Sequence, residues 1–105
     1  MVVRIDTMEA SSFSYLALGL AHERAGSVDD ARSELARALR FACAEGDIHR
    51  GTKATAGLLR TNGQSLVTDE ELGWTLHEAQ REPEKPPDYR YLLATLGMPA
   101  AAGWP

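Results

Sequence analysis

The segment from Phe13 to Cys43 constrains the fold most strongly, because two helical patterns lie there on either side of a short Ala-Gly-Ser turn. In the first pattern, apolar side chains recur with the three- and four-residue spacing of a single helical face. That face consists of Phe13, Leu16, Ala17, Leu20 and Ala21. Gly26 then suits the left-handed residue that ends many helices. We therefore predict a helical hairpin over residues 13–43.

Small residues predict that the two helices of this hairpin approach closely. Gly19 lies in the middle of the first helix, where glycine costs about 1 kcal/mol relative to alanine unless packing requires the missing side chain. The inner stripe of the second helix consists of Ala31, Leu35, Ala38 and Ala42, with Leu39 beside it. Because alanine lets a neighbouring helix come near, we expect this stripe to pack against Gly19.

Two further features concern the sides and the start of these helices. Tyr15 and Leu18 give the first helix apolar surface away from its inner face. A helix that is apolar over most of its circumference is usually covered on more than one side. Ser27 is expected to cap the second helix through its hydroxyl. Glu34 and Arg37 are expected to form an ion pair on its surface.

These positions resemble the tetratricopeptide repeat (TPR), a helical hairpin of about 34 residues. The similarity is carried by Tyr15, the pair Leu18-Gly19, Ala31 and Ala38. The hairpin departs from the family pattern at Leu35 (usually Phe), at His22 (usually Tyr) and in having no Pro after the second helix. A generic helical hairpin is the alternative interpretation.

A second, degenerate hairpin is predicted over residues 47–82. Its third helix runs from Ile48 to Thr61, and Ala56-Gly57 repeats the Leu18-Gly19 pattern. Thr68 and Glu71 have the spacing of a capping box, which predicts the start of the fourth helix. The inner stripe of that helix consists of Leu72, Leu76 and Ala79.

The remaining segments complete an all-α prediction of about five helices. A proline-rich linker (EPEKPP, residues 82–87) precedes a short fifth helix from Asp88 to Leu96, which is expected to cap the array with Tyr89, Leu92, Leu93 and Leu96 on one side. Residues 13–97 then form one TPR-like helical domain, closed by the helix at 88–97. Residues 1–12 are expected to form an N-terminal arm, and residues 98–105 a flexible tail that includes Trp104.

Composition argues mildly against nucleic acid as a partner. The 105-residue chain has a net charge of −4, whereas phosphate binding requires a basic surface. His49, Arg50, Lys53 and Arg60 nevertheless make the third helix locally basic. A small regulatory protein that contacts nucleic acid through this helix is therefore the alternative function, although a solvated face or a set of partners for nearby acids explains the same residues.

No residue pattern indicates catalysis, a metal or a cofactor. His22, His49 and His77 lack a second histidine at metal-ligand spacing, and no motif positions a serine nucleophile. Cys43 is the only cysteine, so an internal disulfide is excluded, and we expect it to be a buried apolar residue. We predict no enzyme activity, no cofactor and no small-molecule substrate.

The sequence predicts a cytoplasmic protein without a membrane segment. The apolar run from Phe13 to Ala21 is much shorter than the roughly 20 residues that span a bilayer. The positive end of a secretion leader is missing as well, because Asp6 and Glu9 offset Arg4.

The resemblance implies function as a protein–protein interaction module, such as an adaptor or an accessory subunit. In TPR proteins the first helix of each repeat lines a concave groove that holds a peptide or a partner helix. Carried over to this chain, the groove residues are Phe13, Leu16, Leu20, Glu23 and Arg24. Trp74 lies off the inner stripe of its helix, so it is either covered by the last helix, which we favour, or exposed as an anchor for a partner.

Three occupants of this groove are open at the level of sequence. They are an apolar segment of another protein, a second copy of the chain, and the chain's own fifth helix or tail. About one and a half repeats offer little stacking surface, since three or more are normally needed for stability. We therefore favour self-association, with a protein partner second.

Overall fold

The computed structural model of the protein describes residues 11–82 and 87–95, and these residues form five α-helices and no strand. The helices are α1 (Ser12–Ala25), α2 (Val28–Glu45), α3 (Ile48–Arg60), α4 (Asp69–Arg81) and α5 (Pro87–Thr95), with a 3-10 turn at Gln64–Leu66 between α3 and α4. The predicted all-α class and the number of helices are confirmed. The predictions for residues 1–10, 83–86 and 96–105, including Leu96 and Trp104, and for the side chain of Leu93 lie outside the described residues.

Side-chain caps and left-handed residues set the helix boundaries. The Ser11 hydroxyl accepts a hydrogen bond from the backbone N–H of Ser14 at 3.3 Å and starts α1. Gly26 ends α1 at φ 82°, as predicted. The Thr68 and Glu71 side chains each accept from the other's backbone N–H at 3.0 Å, so the predicted capping box is confirmed.

The predicted side-chain cap of α2 is wrong. Ser27 occupies the cap position, but its hydroxyl makes no capping hydrogen bond. The backbone N–H of Ser27 donates to the His22 carbonyl at 2.9 Å to close the end of α1. This tight turn holds Ser27 at φ −85° and ψ 75°, away from the extended conformation that a capping side chain usually needs.

Leu35 of α2 lies at the centre of the core, between a glycine of α1 and a glycine of α3. A Cβ atom at Gly19 would lie 2.6 Å from Leu35 Cγ, and a Cβ atom at Gly57 would lie 2.8 Å from Leu35 Cδ1. Leu35 itself is fully buried, and so is the rest of the predicted α2 stripe: Ala31, Ala38, Leu39 and Ala42. The close approach predicted at Gly19 is therefore confirmed.

α3 is the central helix, since it contacts α1, α2, α4 and α5. Eight of its thirteen residues are buried: Gly51, Thr52, Ala54, Thr55, Ala56, Gly57, Leu58 and Leu59. The two threonine hydroxyls donate to the carbonyls of Ile48 and Gly51, each at 2.8 Å, so burial leaves them hydrogen-bonded. Because Gly, Ala and Thr contribute little to a hydrophobic pattern, the sequence predicts only a weak apolar side for this helix.

The two C-terminal helices both pack on α3. Trp74 of α4 lies against Gly51, where a Cβ atom would meet the indole at 2.7 Å. Tyr89 and Leu92 of α5 are 2% and 0% exposed. The Tyr89 hydroxyl lies 3.0 Å from His49 Nδ1 of α3. Large side chains of α4 and α5 thus fill the space left by small residues on α3.

Replacing Gly19 by alanine is expected to lower the free energy of unfolding. The new Cβ would overlap Leu35 Cγ and lie 3.2 Å from the Leu35 backbone nitrogen. Overpacking costs about 1–3 kcal/mol, whereas removing the helical glycine returns at most ~1 kcal/mol. Denaturant unfolding followed by circular dichroism measures the difference.

Gly73→Ala is the matched control, since nothing lies within 4 Å of a Cβ at this position in α4. This variant should be more stable than the parent by up to ~1 kcal/mol. Equal stabilisation by both substitutions would show that α1 and α2 do not approach as described.

Candidate functional site

The structure separates the predicted contact residues of α1 into two groups. Leu16 is 7% exposed and belongs to the core, and Leu20 is half-buried against it. Glu23 is half-buried as well and faces α3, whereas Phe13 and Arg24 are exposed. The five side chains therefore do not form one continuous apolar groove.

A bidentate ion pair joins the ends of α1 and α3. Arg60 Nε donates to Glu23 Oε2 at 2.8 Å, and Arg60 Nη2 donates to Glu23 Oε1 at 2.9 Å. The hydrogen bonds with Arg60 hold the pKa of Glu23 below its ordinary value. The same bonds with Glu23 raise the pKa of Arg60. The pair thus engages Glu23, one of the predicted groove residues, in a contact within the chain.

The other basic side chains of α3 are paired as well. Lys53 Nζ lies 2.8 Å from Asp88 Oδ2 of α5. Arg50 Nη1 lies 3.4 Å from Asp47 Oδ2, and its guanidinium carbon lies 5.2 Å from the centre of the Phe13 ring. The basic face of α3 is thus largely neutralised by the chain's own acids, which leaves little positive charge for a polyanion.

Trp74 is half-buried, and its indole lies against α3. The indole lies across Gly51, while Tyr89 of α5 contacts His49 two residues away on the same helix. Part of the Trp74 side chain is thus covered within the chain by α3, and cover by the last helix stays a prediction.

Apolar surface is exposed on the outer side of α1. We define the outer α1 face by Phe13, Ala17, Leu18 and Ala21, which span one side of the helix and are all exposed. Phe13 is 61% exposed and Leu18 is 47% exposed. Arg24 lies beyond the C-terminal end of this face, so Phe13 is the one predicted contact residue of α1 that belongs to it.

Leu18 is the main residue of this face that the groove prediction missed. The sequence feature that could have identified Leu18 was the apolar character of α1 around its whole circumference, which indicates cover on more than one side. Only Ser12, Leu16 and Gly19 of the helix are buried in the described structure. Arg50 of α3 reaches the edge of the outer α1 face at Phe13, and all four residues of the face stay exposed in the part of the chain that the structure describes.

The thiol of Cys43 does not have the properties of a reactive nucleophile. Burial, with a smaller contribution from the charge of Glu71, raises the pKa of Cys43 to about 11. A thiolate is required for nucleophilic attack, and this environment disfavours it.

Within the described residues, no group of three or more His, Cys, Asp or Glu side chains is arranged to hold a metal ion. None of the described helices combines the length and apolarity needed to cross a membrane.

Comparisons with protein-family models, with curated proteins and with solved structures found no match. The function of this chain is therefore inferred from its own surfaces.

The Glu23–Arg60 pair is expected to contribute stability that disappears in acid. Because the folded-state pKa of Glu23 is lowered, the contribution is full above the ordinary value of 4.5 and is lost as the pH falls through the lowered value. A double-mutant cycle with Glu23→Gln and Arg60→Gln should give a coupling energy of about 0.2–1 kcal/mol near neutral pH, since the pair is partly exposed. Denaturant titrations near neutral pH and near pH 3 measure it, and a coupling energy that does not fall in acid would contradict the assignment.

Proposed function

We propose that this protein is a protein–protein interaction module that pairs with a second copy of itself through the outer α1 face. The observation that carries this proposal is the mismatch between the composition of α1 and its burial. The helix is apolar around its circumference, yet its described neighbours cover one side only. A helix of this kind normally has a second covering element.

The distribution of side-chain sizes on the outer α1 face favours a second copy as the occupant. Phe13 lies near the N-terminal end, whereas Ala17 and Ala21 lie towards the C-terminal end. Two antiparallel copies related by a two-fold axis near Ala17 place Phe13 of each copy opposite Ala21 of the other. Large and small side chains then interdigitate, as a self-complementary interface requires.

The size of the face predicts a reversible dimer. A helix of 14 residues is about 21 Å long and about 10 Å wide. A contact between two such helices is smaller than the ~800 Å² that each partner usually buries in a stable complex. We therefore expect monomer and dimer to be in equilibrium, and an apolar helix of another protein would compete for the same face.

The TPR-like assignment remains part of this proposal. It is supported by Gly19 and Gly57, which occupy corresponding positions in the two hairpins and both contact Leu35. In a stacked helical array, the outer side of the first helix is the surface on which a further hairpin would pack.

Nucleic-acid contact through α3 is the less favoured function, because Arg50, Lys53 and Arg60 are engaged by carboxylates.

The molar mass in solution tests the dimer. For the 11.4 kDa chain, we expect the weight-average mass to rise towards twice that value as concentration increases. Ala21→Glu should keep the protein monomeric at every concentration, because two copies would bury the new carboxylates in an apolar contact. Sedimentation equilibrium measures the mass, and circular dichroism checks that the helix content is unchanged.

Ala94→Glu is the matched control, since Ala94 is an exposed alanine on α5. The control should dimerise like the parent. A parent protein that stays monomeric at millimolar concentration, or an Ala21→Glu variant that dimerises as well as the control, would refute the proposal.

A further inference from the structure

A groove with three arginines runs along the outer side of α2. It has a volume of 390 Å³, and its α2 residues lie between Asp29 and Arg40. We define the α2 arginine groove by Arg32, Ser33, Ala36, Arg37 and Arg40 of α2, together with Asp29 and with Leu66 of the 3-10 turn. The groove shares no residue with the outer α1 face.

Arg32 fixes one wall of this groove. Its Nε donates to the Thr61 carbonyl at 2.5 Å, and its Nη1 donates to Asp29 Oδ1 at 2.9 Å. These bonds connect α2 to the segment between α3 and α4, which carries Leu66.

The other two arginines have unused hydrogen-bonding capacity. Arg37 makes one ion pair, with Glu34 at 3.3 Å, and its guanidinium carbon lies 5.9 Å from the centre of the Tyr15 ring. Arg40 is exposed and has no ion-pair or hydrogen-bond partner among residues 11–82 and 87–95. Each guanidinium has five N–H donors, so both can donate to a carboxylate without losing their present contacts.

The groove is positive in a chain that is negative overall. Three arginines against Asp29 leave two positive charges in the groove, whereas the whole chain has a net charge of −4. Even with Glu34 at the edge, one positive charge remains. A ligand with carboxylates is therefore attracted to this surface more than to the rest of the molecule.

Apolar atoms line the groove beside the arginines. Leu66 is 43% exposed, and the half-buried Ala36 lines the same groove. One large apolar side chain of a ligand can pack between these two residues while its neighbouring carboxylates reach Arg37 and Arg40. The distance along α2 from Arg32 to Arg40 is about 12 Å, which matches two turns of a ligand helix.

From this combination we infer that the α2 arginine groove binds an acidic, amphipathic segment of a partner protein. Charge complementarity favours carboxylates in the ligand segment. The site between Ala36 and Leu66 favours an apolar ligand residue that lies between those carboxylates. A nucleic acid fits less well, because the groove has no aromatic lining residue for base stacking and the chain's net charge of −4 disfavours a long polyanion.

Fluorescence anisotropy with a labelled synthetic peptide of sequence EELAELLEELA tests this inference. We expect saturable binding that weakens about tenfold in Arg40→Glu, because a charge-assisted hydrogen bond is replaced by repulsion. Leu66→Ser should weaken binding as well, since it removes the apolar side of the site. Arg90→Glu is the matched control, because Arg90 is an exposed arginine on α5, and it should bind like the parent.

Three outcomes would overturn the inference. The first is equal binding of a peptide in which every Glu is replaced by Gln, which would make the charge irrelevant. The second is equal weakening by Arg40→Glu and Arg90→Glu, which would indicate attraction to overall charge rather than to the groove. The third is tighter binding of a labelled single-stranded oligonucleotide than of the acidic peptide.

The same titration separates this inference from the proposed dimer. Ala21→Glu leaves every residue of the α2 arginine groove unchanged, so the variant should still bind the acidic peptide. Peptide binding by a monomeric Ala21→Glu protein would support the groove whether or not the parent protein dimerises.

Discussion

The insertion of Leu35 between Gly19 and Gly57 is the contact on which the rest of the structure depends. One fully buried side chain of α2 touches α1 on one side and α3 on the other, at positions where even a methyl group would overlap it. Burying a leucine contributes about 1.5–3 kcal/mol. Its larger effect is geometric, because a single residue sets the spacing of three helices and so the relative positions of both hairpins.

Close packing around α3 determines which surfaces remain available for binding. α3 carries small buried residues on most of its circumference and basic residues on the rest. Because α1 and α5 lie beside it, Glu23 and Asp88 reach Arg60 and Lys53. The side of the molecule that is most basic in sequence is therefore occupied by internal ion pairs.

The first hairpin carries both surfaces proposed for binding, and the two differ in chemistry. The outer α1 face is apolar and nearly uncharged, which suits a copy of itself. The α2 arginine groove combines positive charge with the apolar side chain of Leu66, which suits an acidic segment. A dimer formed through α1 would present two such grooves, so a partner with two acidic segments would bind with higher apparent affinity than a partner with one.

The sequence by itself determined the five helices, the end of α1 at Gly26, the capping box of α4 and the close approach at Gly19. These features depend on local spacing, on residues such as Gly26 and Thr68, and on glycine and alanine patterns within one hairpin. Only the tertiary structure decided that Leu16 is buried in the core and Glu23 is paired with Arg60, that α3 is central, and that Arg40 lines a groove with Leu66 and has no partner among residues 11–82 and 87–95. Each of these facts depends on contacts between residues far apart in the chain, such as Arg32 with Thr61, which helical periodicity does not encode.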